Sequence, residues 1–424
     1  MNIEIKNAKI LTMVEEKVID GNIYIKDNKI VKIGELNNFK ADKKINAETM
    51  LAMPGLINAH THLGMSLFRN FSDDVNLETW LNEKIWPLED KLIAKDVYNA
   101  SILSMAEMIM TGTTTFADMY YFEEETIKAL EKTKMRGQIS RGLTLPDDNY
   151  KKLNENIALF KNYNNSLDNH LQIALGPHAV YTTDKNYLKD IAKIARDMDI
   201  PIHIHLSETK KENEECKKRF GQSPCQVFDE CKIFDNKTIA AHGIYLSDSD
   251  LDIIKEKEVS IIHNPSSNLK LASGFLDVNR LFKRKINVGL GTDSAASNNS
   301  LSMFKEMAIA SLVGKYNDPK NMKAFNLLKM ATINGAKALS LDKYIGTLEE
   351  GKLADIILID INNLNHTPNN NLVSSLVYST YSNDVNTVII NGNVVYENHE
   401  FTYLDKNEIM LKAKTSFANL RKRQ

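Results

Sequence analysis

The chain has 424 residues, 43% hydrophobic and 25% charged, an ordinary globular balance for one large domain plus a smaller one. Its formal net charge of -2 supplies no global field for nucleic acid or an anionic membrane, which leaves small molecules as the expected partners. No run approaches the roughly 18 apolar residues that cross a bilayer. The start, with Glu4 and Lys6 set in an alternating pattern, lacks the order of a signal peptide, so no membrane partner and a cytoplasmic location are expected.

Residues 2–34 alternate apolar and polar positions around the turn signals Asp20-Gly21 and Asp27-Asn28, as antiparallel β-structure does. From residue 56 the pattern changes. Short runs rich in Val, Ile, Leu and Thr, at 56–62, 113–118, 137–143, 171–178, 201–206, 238–242, 259–263 and 286–293, alternate with longer segments of helical periodicity. Eight such runs are the number of a closed parallel barrel. Behind the capping-type pair Thr183-Asp184, the residues Leu188, Ile191, Ala192, Ala195 and Met198 recur at helical spacing and predict an amphipathic helix. Residues 322–341, with Phe325, Leu328, Ala331 and Ala338, are expected to form one last helix. Strand patterns return at 354–361 and 388–396, the latter around Asn391-Gly392, a strong hairpin signal. Neither end holds enough strands for a core of its own, so the two ends should pair. The expected fold class is α/β, a (β/α)8 TIM-type barrel over residues 56–345 with a small β-sandwich formed from both chain termini, 1–55 and 346–424.

Cys216, Cys225 and Cys231 have spacings that fit neither a disulfide framework nor a zinc knuckle and read as reduced packing residues. The absence of any His-x-Glu rules out the cytidine-type deaminase fold.

The polar residues carry the functional signal. His62, Asp118, Arg141, His178, His205, His242, His263 and Asp293 end the eight runs, and barrel active sites lie at that end. His60 and His62, one residue apart on a period-2 backbone, point the same way and can share a metal ion. His205 and Asp293 complete three imidazoles and one carboxylate with a place for water. That set suits zinc, one per subunit, although iron, manganese or nickel could occupy it. Glu208, just beyond His205, is placed to carry protons. His203 reads as a supporting or core residue. His242, before a glycine that permits close backbone approach, could hold and polarise a nucleophile.

These residues lie in a longer pattern. Pro54-Gly55-Leu56-Ile57-Asn58-Ala59-His60-Thr61-His62 resembles the first-strand signature of the amidohydrolase superfamily, and His205 with Glu208, Ala241-His242-Gly243, His263-Asn264-Pro265 and Gly291-Thr292-Asp293-Ser294 resemble its later landmarks. The stretch Gly351-Lys352-Leu353-Ala354-Asp355-Ile356 is similar to the return into that superfamily's β-sandwich. Within the superfamily, residues 77–89 resemble the lid of the 5-methylthioadenosine/S-adenosylhomocysteine deaminases. The resemblance implies that Glu89 binds ribose hydroxyls, that Trp80 packs near the ligand, and that Arg141 and His178 meet the substrate. It also implies one metal ion, because Gly176-Pro177-His178 stands where two-metal relatives carry a carboxylated lysine. One departure concerns the tail of the substrate: no arginine lies between Arg141 and Arg196, only Lys151 and Lys152, and lysine cannot offer a carboxylate a bidentate fork.

The implied reaction is deamination of an adenine nucleoside. Asp293 accepts a proton from the attacking water, Glu208 protonates the ring nitrogen, and His242 stabilises the developing oxyanion. Guanine, another adenosine derivative or a cyclic amide is the competing substrate class on the same machinery; a metal-free scaffold is the competing class of protein, and the intact ligand set argues against it. The sequence leaves the oligomeric state open, a homo-oligomer included.

Overall fold

The computed structural model describes residues 1–424. The chain opens with β1 (Ile3–Leu11), β2 (Val18–Lys26), β3 (Lys29–Ile33), β4 (Lys43–Asn46) and β5 (Met50–Pro54). The eight runs read from the sequence follow as β6 (Leu56–Thr61), β7 (Thr113–Tyr120), β8 (Arg136–Leu143), β9 (Leu171–Pro177), β10 (Ile202–Leu206), β11 (Thr238–His242), β12 (Ser260–His263) and β13 (Val288–Leu290). The last strands are β14 (Ile356–Asp360), β15 (Val385–Ile390), β16 (Asn393–Glu397) and β17 (Glu400–Phe401).

Strands β6 to β13 pair in chain order and in parallel. Every residue of β6 and β7 is buried, as expected of strands covered on both faces. The barrel's seam, between β13 and β6, has no ladder and is joined by individual bonds. Asn58 spans it, donating to Thr292 Oγ1 at 2.7 Å and accepting the Thr292 N–H at 2.9 Å, and the Asp293 N–H donates to the His60 carbonyl at 3.0 Å.

The expected helix behind Thr183-Asp184 runs Lys185–Met198, with the Asp184 carboxylate accepting the Tyr187 N–H at 2.8 Å. It buries Leu188 and Ile191, each worth about 1.5–3 kcal/mol against exposure. Residues 322–341 depart from expectation and form two helices, Ala324–Met330 and Ile333–Ala338. The helix breaks at Thr332, with φ -134° and ψ -99°; its Oγ1 bonds back to the Leu328 carbonyl at 2.6 Å, and the Ala331 carbonyl accepts the Ile57 N–H of β6 at 2.8 Å.

Both termini meet in one nine-stranded sheet, ordered β17-β16-β15-β14-β5-β1-β2-β3 with β4 beside β1. The two halves share a core of 16 buried residues, among them Ile5 and Ile23 from the start and Ile356 and Val394 from the end. Asn391 and Gly392, with φ of 49° and 74°, make the expected hairpin turn. Asp20-Gly21 is not a turn: both lie inside β2, where Gly21 pairs with Ala8 beside a register shift. The segment 346–424 also carries a helix, Lys406–Lys422, that leaves the sheet and packs on the helix Ala94–Met110, where Ala413 and Leu420 join Phe68 and Trp80 in a separate apolar cluster. No helix is long and apolar enough to cross a membrane.

Candidate metal and catalytic centre

The period of the strands brings His60 of β6, His203 and His205 of β10, and His242 of β11 to the C-terminal mouth, with His62 directly after β6 and Asp293 following β13. Two hydrogen bonds fix which nitrogens are free. His62 Nδ1 donates to the Met119 carbonyl at 2.6 Å and His205 Nδ1 donates to the His178 carbonyl at 3.0 Å, because a carbonyl only accepts. Each ring is left with an Nε2 lone pair, and these two atoms face one another at 3.2 Å. Two lone pairs so placed repel unless a cation joins them.

Asp293 Oδ1 lies 3.4 Å from His62 Nε2 and 3.7 Å from His60 Nε2. His60 Nε2 is buried without a partner, while its Nδ1 lies 2.8 Å from His203 Nε2. Donors about 2.1 Å from a tetrahedral ion stand about 3.4 Å apart, so the His60, His62, His205 and Asp293 donor set fits a divalent metal. The donor atoms of His60, His62 and Asp293 all lie within 4.8 Å of one another, as do those of His60, His205 and His242. Burial first, then the neighbouring imidazoles, holds His60 and His205 well below the ordinary histidine pKa, and burial likewise holds His203 and His178 at about 3. Neutral imidazole is the form that ligates.

The backbone at the mouth is strained. His242 has φ 74° and Asp293 φ 60°, left-handed values that cost a side-chain-bearing residue about 1–3 kcal/mol each. Gly291 lets the chain pass close by: a Cβ there would fall 2.5 Å from Asn264 Oδ1 and 2.9 Å from the His60 nitrogen.

Around this cluster His62, His178, His205, Glu208, His242 and Asp293 line one pocket together with Trp80, Trp86 and Glu89. Glu208 Oε1 accepts from Ser273 Oγ at 3.0 Å, and its Oε2 lies 3.8 Å from His242 Nε2. Burial raises the Glu208 pKa. Burial opposes the charge of His242, yet the carboxylates of Glu208 and Asp293 and the Asn268 side chain together raise its pKa. Glu89 is pushed up to about 7, again by burial, while the Tyr120 hydroxyl donates to its Oε1 at 2.7 Å. Sequence reading missed Tyr120. Its signal is the alternation of β7, which sets it on the same side as Asp118.

The other strand-end residues divide. Asp118 and His263 stay outside the pocket. Asp118 Oδ1 accepts the Leu63 N–H at 2.7 Å and the Thr61 hydroxyl at 2.9 Å, and so fastens the loop that carries His62. Arg141 lies in an adjoining groove that shares Trp86, Glu89, Tyr121, Thr144 and His178 with the pocket. There its guanidinium stacks 4.9 Å from the Tyr121 ring and bonds Glu155 at 3.3 Å and the Gly142 carbonyl at 2.8 Å. Lys152 Nζ donates to the Thr144 carbonyl, Thr144 Oγ1 and the Pro146 carbonyl, each at 2.9 Å, which occupies all three of its hydrogens.

Residues 51–395 match the amidohydrolase family. The chain is 47% identical to the 5-methylthioadenosine/S-adenosylhomocysteine deaminase of Thermoanaerobacter pseudethanolicus over 99% of each sequence. It is 40% identical to the 5'-deoxyadenosine deaminase of Methanobrevibacter smithii over 98% of each. The crystal structure of an adenosine deaminase from Xanthomonas campestris with bound zinc superposes with a TM-score of 0.95 at 29% identity, covering 99% of this chain and 98% of that one.

Proposed function

The chain belongs to the amidohydrolase family and, within it, to the 5-methylthioadenosine/S-adenosylhomocysteine deaminases, and on that premise we propose that it deaminates 5'-substituted adenosines with one zinc ion per chain held by His60, His62, His205 and Asp293. The products are the inosine-type nucleoside and ammonia. The observation that carries the reading is the facing pair of Nε2 lone pairs on His62 and His205, in a pocket also lined by Glu89, whose carboxylate serves the ribose. Zinc in this set supplies the Lewis acidity that makes water nucleophilic at neutral pH.

The chain's own groups do the rest. Asp293 Oδ2 accepts from Ser267 Oγ at 2.6 Å and Oδ1 accepts the Ser294 N–H at 2.7 Å, which fixes the carboxylate that takes a proton from the attacking water and passes it to the departing ammonia. Glu208, kept protonated to higher pH by burial, delivers a proton to the ring nitrogen beside the reacting carbon. His242 holds and polarises the attacking water. Each interaction strengthens as the purine loses aromaticity, so it favours the transition state over the substrate. Glu89 accepts the ribose hydroxyls, and Trp80 and His178 enclose the base.

The tail groove sets the preference among substrates. Lys152 has no hydrogen left for a carboxylate and Arg141 is already paired with Glu155, so the free cation of the groove is Lys151, which offers no bidentate fork, whereas a methylthio or deoxy 5'-carbon asks only for apolar and aromatic walls such as Trp86 and Tyr121. Ultraviolet assays of the purified chain are expected to show 5'-methylthioadenosine and adenosine used with kcat/KM at least equal to that for S-adenosylhomocysteine. Deamination of guanine alone would sink the nucleoside assignment.

A further inference from the structure

One short segment, residues 264–273, touches every proton-handling group of the reading above. Ser267 Oγ donates to Asp293 Oδ2 at 2.6 Å, Ser273 Oγ donates to Glu208 Oε1 at 3.0 Å, and Asn268 Oδ1 lies 2.8 Å from His242 Nδ1. The third contact settles a chemical question. A carbonyl oxygen only accepts, so a hydrogen bond of this length places a His242 proton on Nδ1, and in the neutral ring it leaves the Nε2 lone pair facing Glu208 Oε2 at 3.8 Å. Asn264 Nδ2, 3.5 Å from the same Nδ1, is too distant to compete.

The backbone of Asn268 is held, while its side-chain Nδ2 is buried without a partner, so Oδ1 to His242 is the one side-chain bond the residue makes. It is buried within the helix Pro265–Lys270, and its N–H donates to the Asn264 carbonyl at 3.0 Å. The start of that helix is braced by the buried Glu306, whose Oε1 accepts from Ser266 Oγ at 2.5 Å and from Asn298 Nδ2 at 2.8 Å.

We propose that Asn268 is a positioning residue that fixes the tautomer of His242, so that the neutral ring meets the pocket as a proton acceptor at Nε2. Only the turnover part of this rests on the deaminase reading. The consequence is specific: neutral His242 has no Nε2 hydrogen to give, so it orients and accepts from the attacking water, and oxyanion donation from Nε2 requires the ring's second proton.

The test uses the full, metal-loaded chain labelled with 15N-histidine, in which two-bond proton–nitrogen correlations distinguish the tautomers and His242→Asn identifies the relevant signals. The wild type is expected to show the Nδ1–H form. Asn268→Leu should move His242 toward Nε2–H and lower kcat by about 10- to 100-fold, with KM and metal content changed by less than about twofold. Asn268→Asp, which keeps an acceptor oxygen, should restore the Nδ1–H form and most of kcat. An Nε2–H tautomer in the wild type overturns the proposal, as does native kcat in Asn268→Leu. Loss of metal or of cooperative unfolding in both Asn268→Leu and the smaller Asn268→Ser also overturns it, by making the role structural. If the wild type deaminates no adenine nucleoside, the functional reading fails on its own, because the tautomer is read without turnover.

Discussion

The two ends of the barrel treat buried charge in opposite ways. At the floor, where β8 begins, Arg136 and Asp355 are buried and satisfied: Nε and Nη2 reach the two carboxylate oxygens at 3.3 Å each, Nη1 donates to the Asn169 carbonyl at 3.0 Å, and the Asn391 N–H donates to Asp355 at 2.7 Å. This pair joins the barrel to the terminal sheet. At the mouth, a buried His60 nitrogen has no partner and two imidazole lone pairs face one another. The charged pair at the floor is fully matched; the ligating nitrogens at the mouth are not. The lesson is that a cluster of ligating nitrogens without partners marks the working end more sharply than polarity alone, since the floor pair is charged and buried as well.

The contrast can be broken first where it is largest. The double variant His60→Ala, His62→Ala should lower metal content from about one ion per chain to none and reduce turnover on the order of 10⁴ or more, because the shift of water's pKa from 15.7 toward about 7 is lost. Metal analysis beside an ultraviolet assay reads both effects. Next in size, Glu208→Gln should keep the metal and the unfolding midpoint and lose roughly 10² to 10⁴ in kcat. Near-normal turnover would remove Glu208 from proton transfer.

At the floor the same kind of change should act on stability instead. Asp355→Asn leaves the Arg136 charge buried and is expected to cost about 3–5 kcal/mol in urea unfolding, with kcat of the folded fraction unchanged. A variant that kept its stability but lost activity would erase the distinction between the ends.

The smallest expected effect sharpens the mouth into two walls. Glu89→Ala should remove discrimination against 2'- and 3'-deoxyribonucleosides, about 1–3 kcal/mol in kcat/KM. The acceptor form is the carboxylate, present above its pKa of about 7, so ribonucleoside kcat/KM should fall as pH drops through that value and the fall should be absent in Glu89→Ala. A limb that persists in the variant assigns the titration to another group.

Much of this was legible from residues alone. The eight strands were read from apolar runs that burial on both faces demands, and His-x-His with His205 and Asp293 located the donor cluster because strand period sets which side chains share a mouth. Strand ends could not be sorted further by sequence: Asp118 ends its run as His62 does, yet it ties down a loop behind the pocket. The break at Thr332 was equally hidden, since the bond that favours it comes from Ile57, far away in the chain. Tyr120 and Asn268 escaped notice for the same reason. Their partners stand 31 and 26 residues away, and neither residue type is unusual where it occurs.

The central claim, that the facing lone pairs at the mouth are completed by a single ion that enables deamination, is tested most directly by stripping the chain with a chelator and titrating zinc back while following 5'-methylthioadenosine. Activity should rise in proportion to added metal and reach its plateau at one ion per chain. A plateau at two ions, or full activity in the stripped protein, would contradict the account.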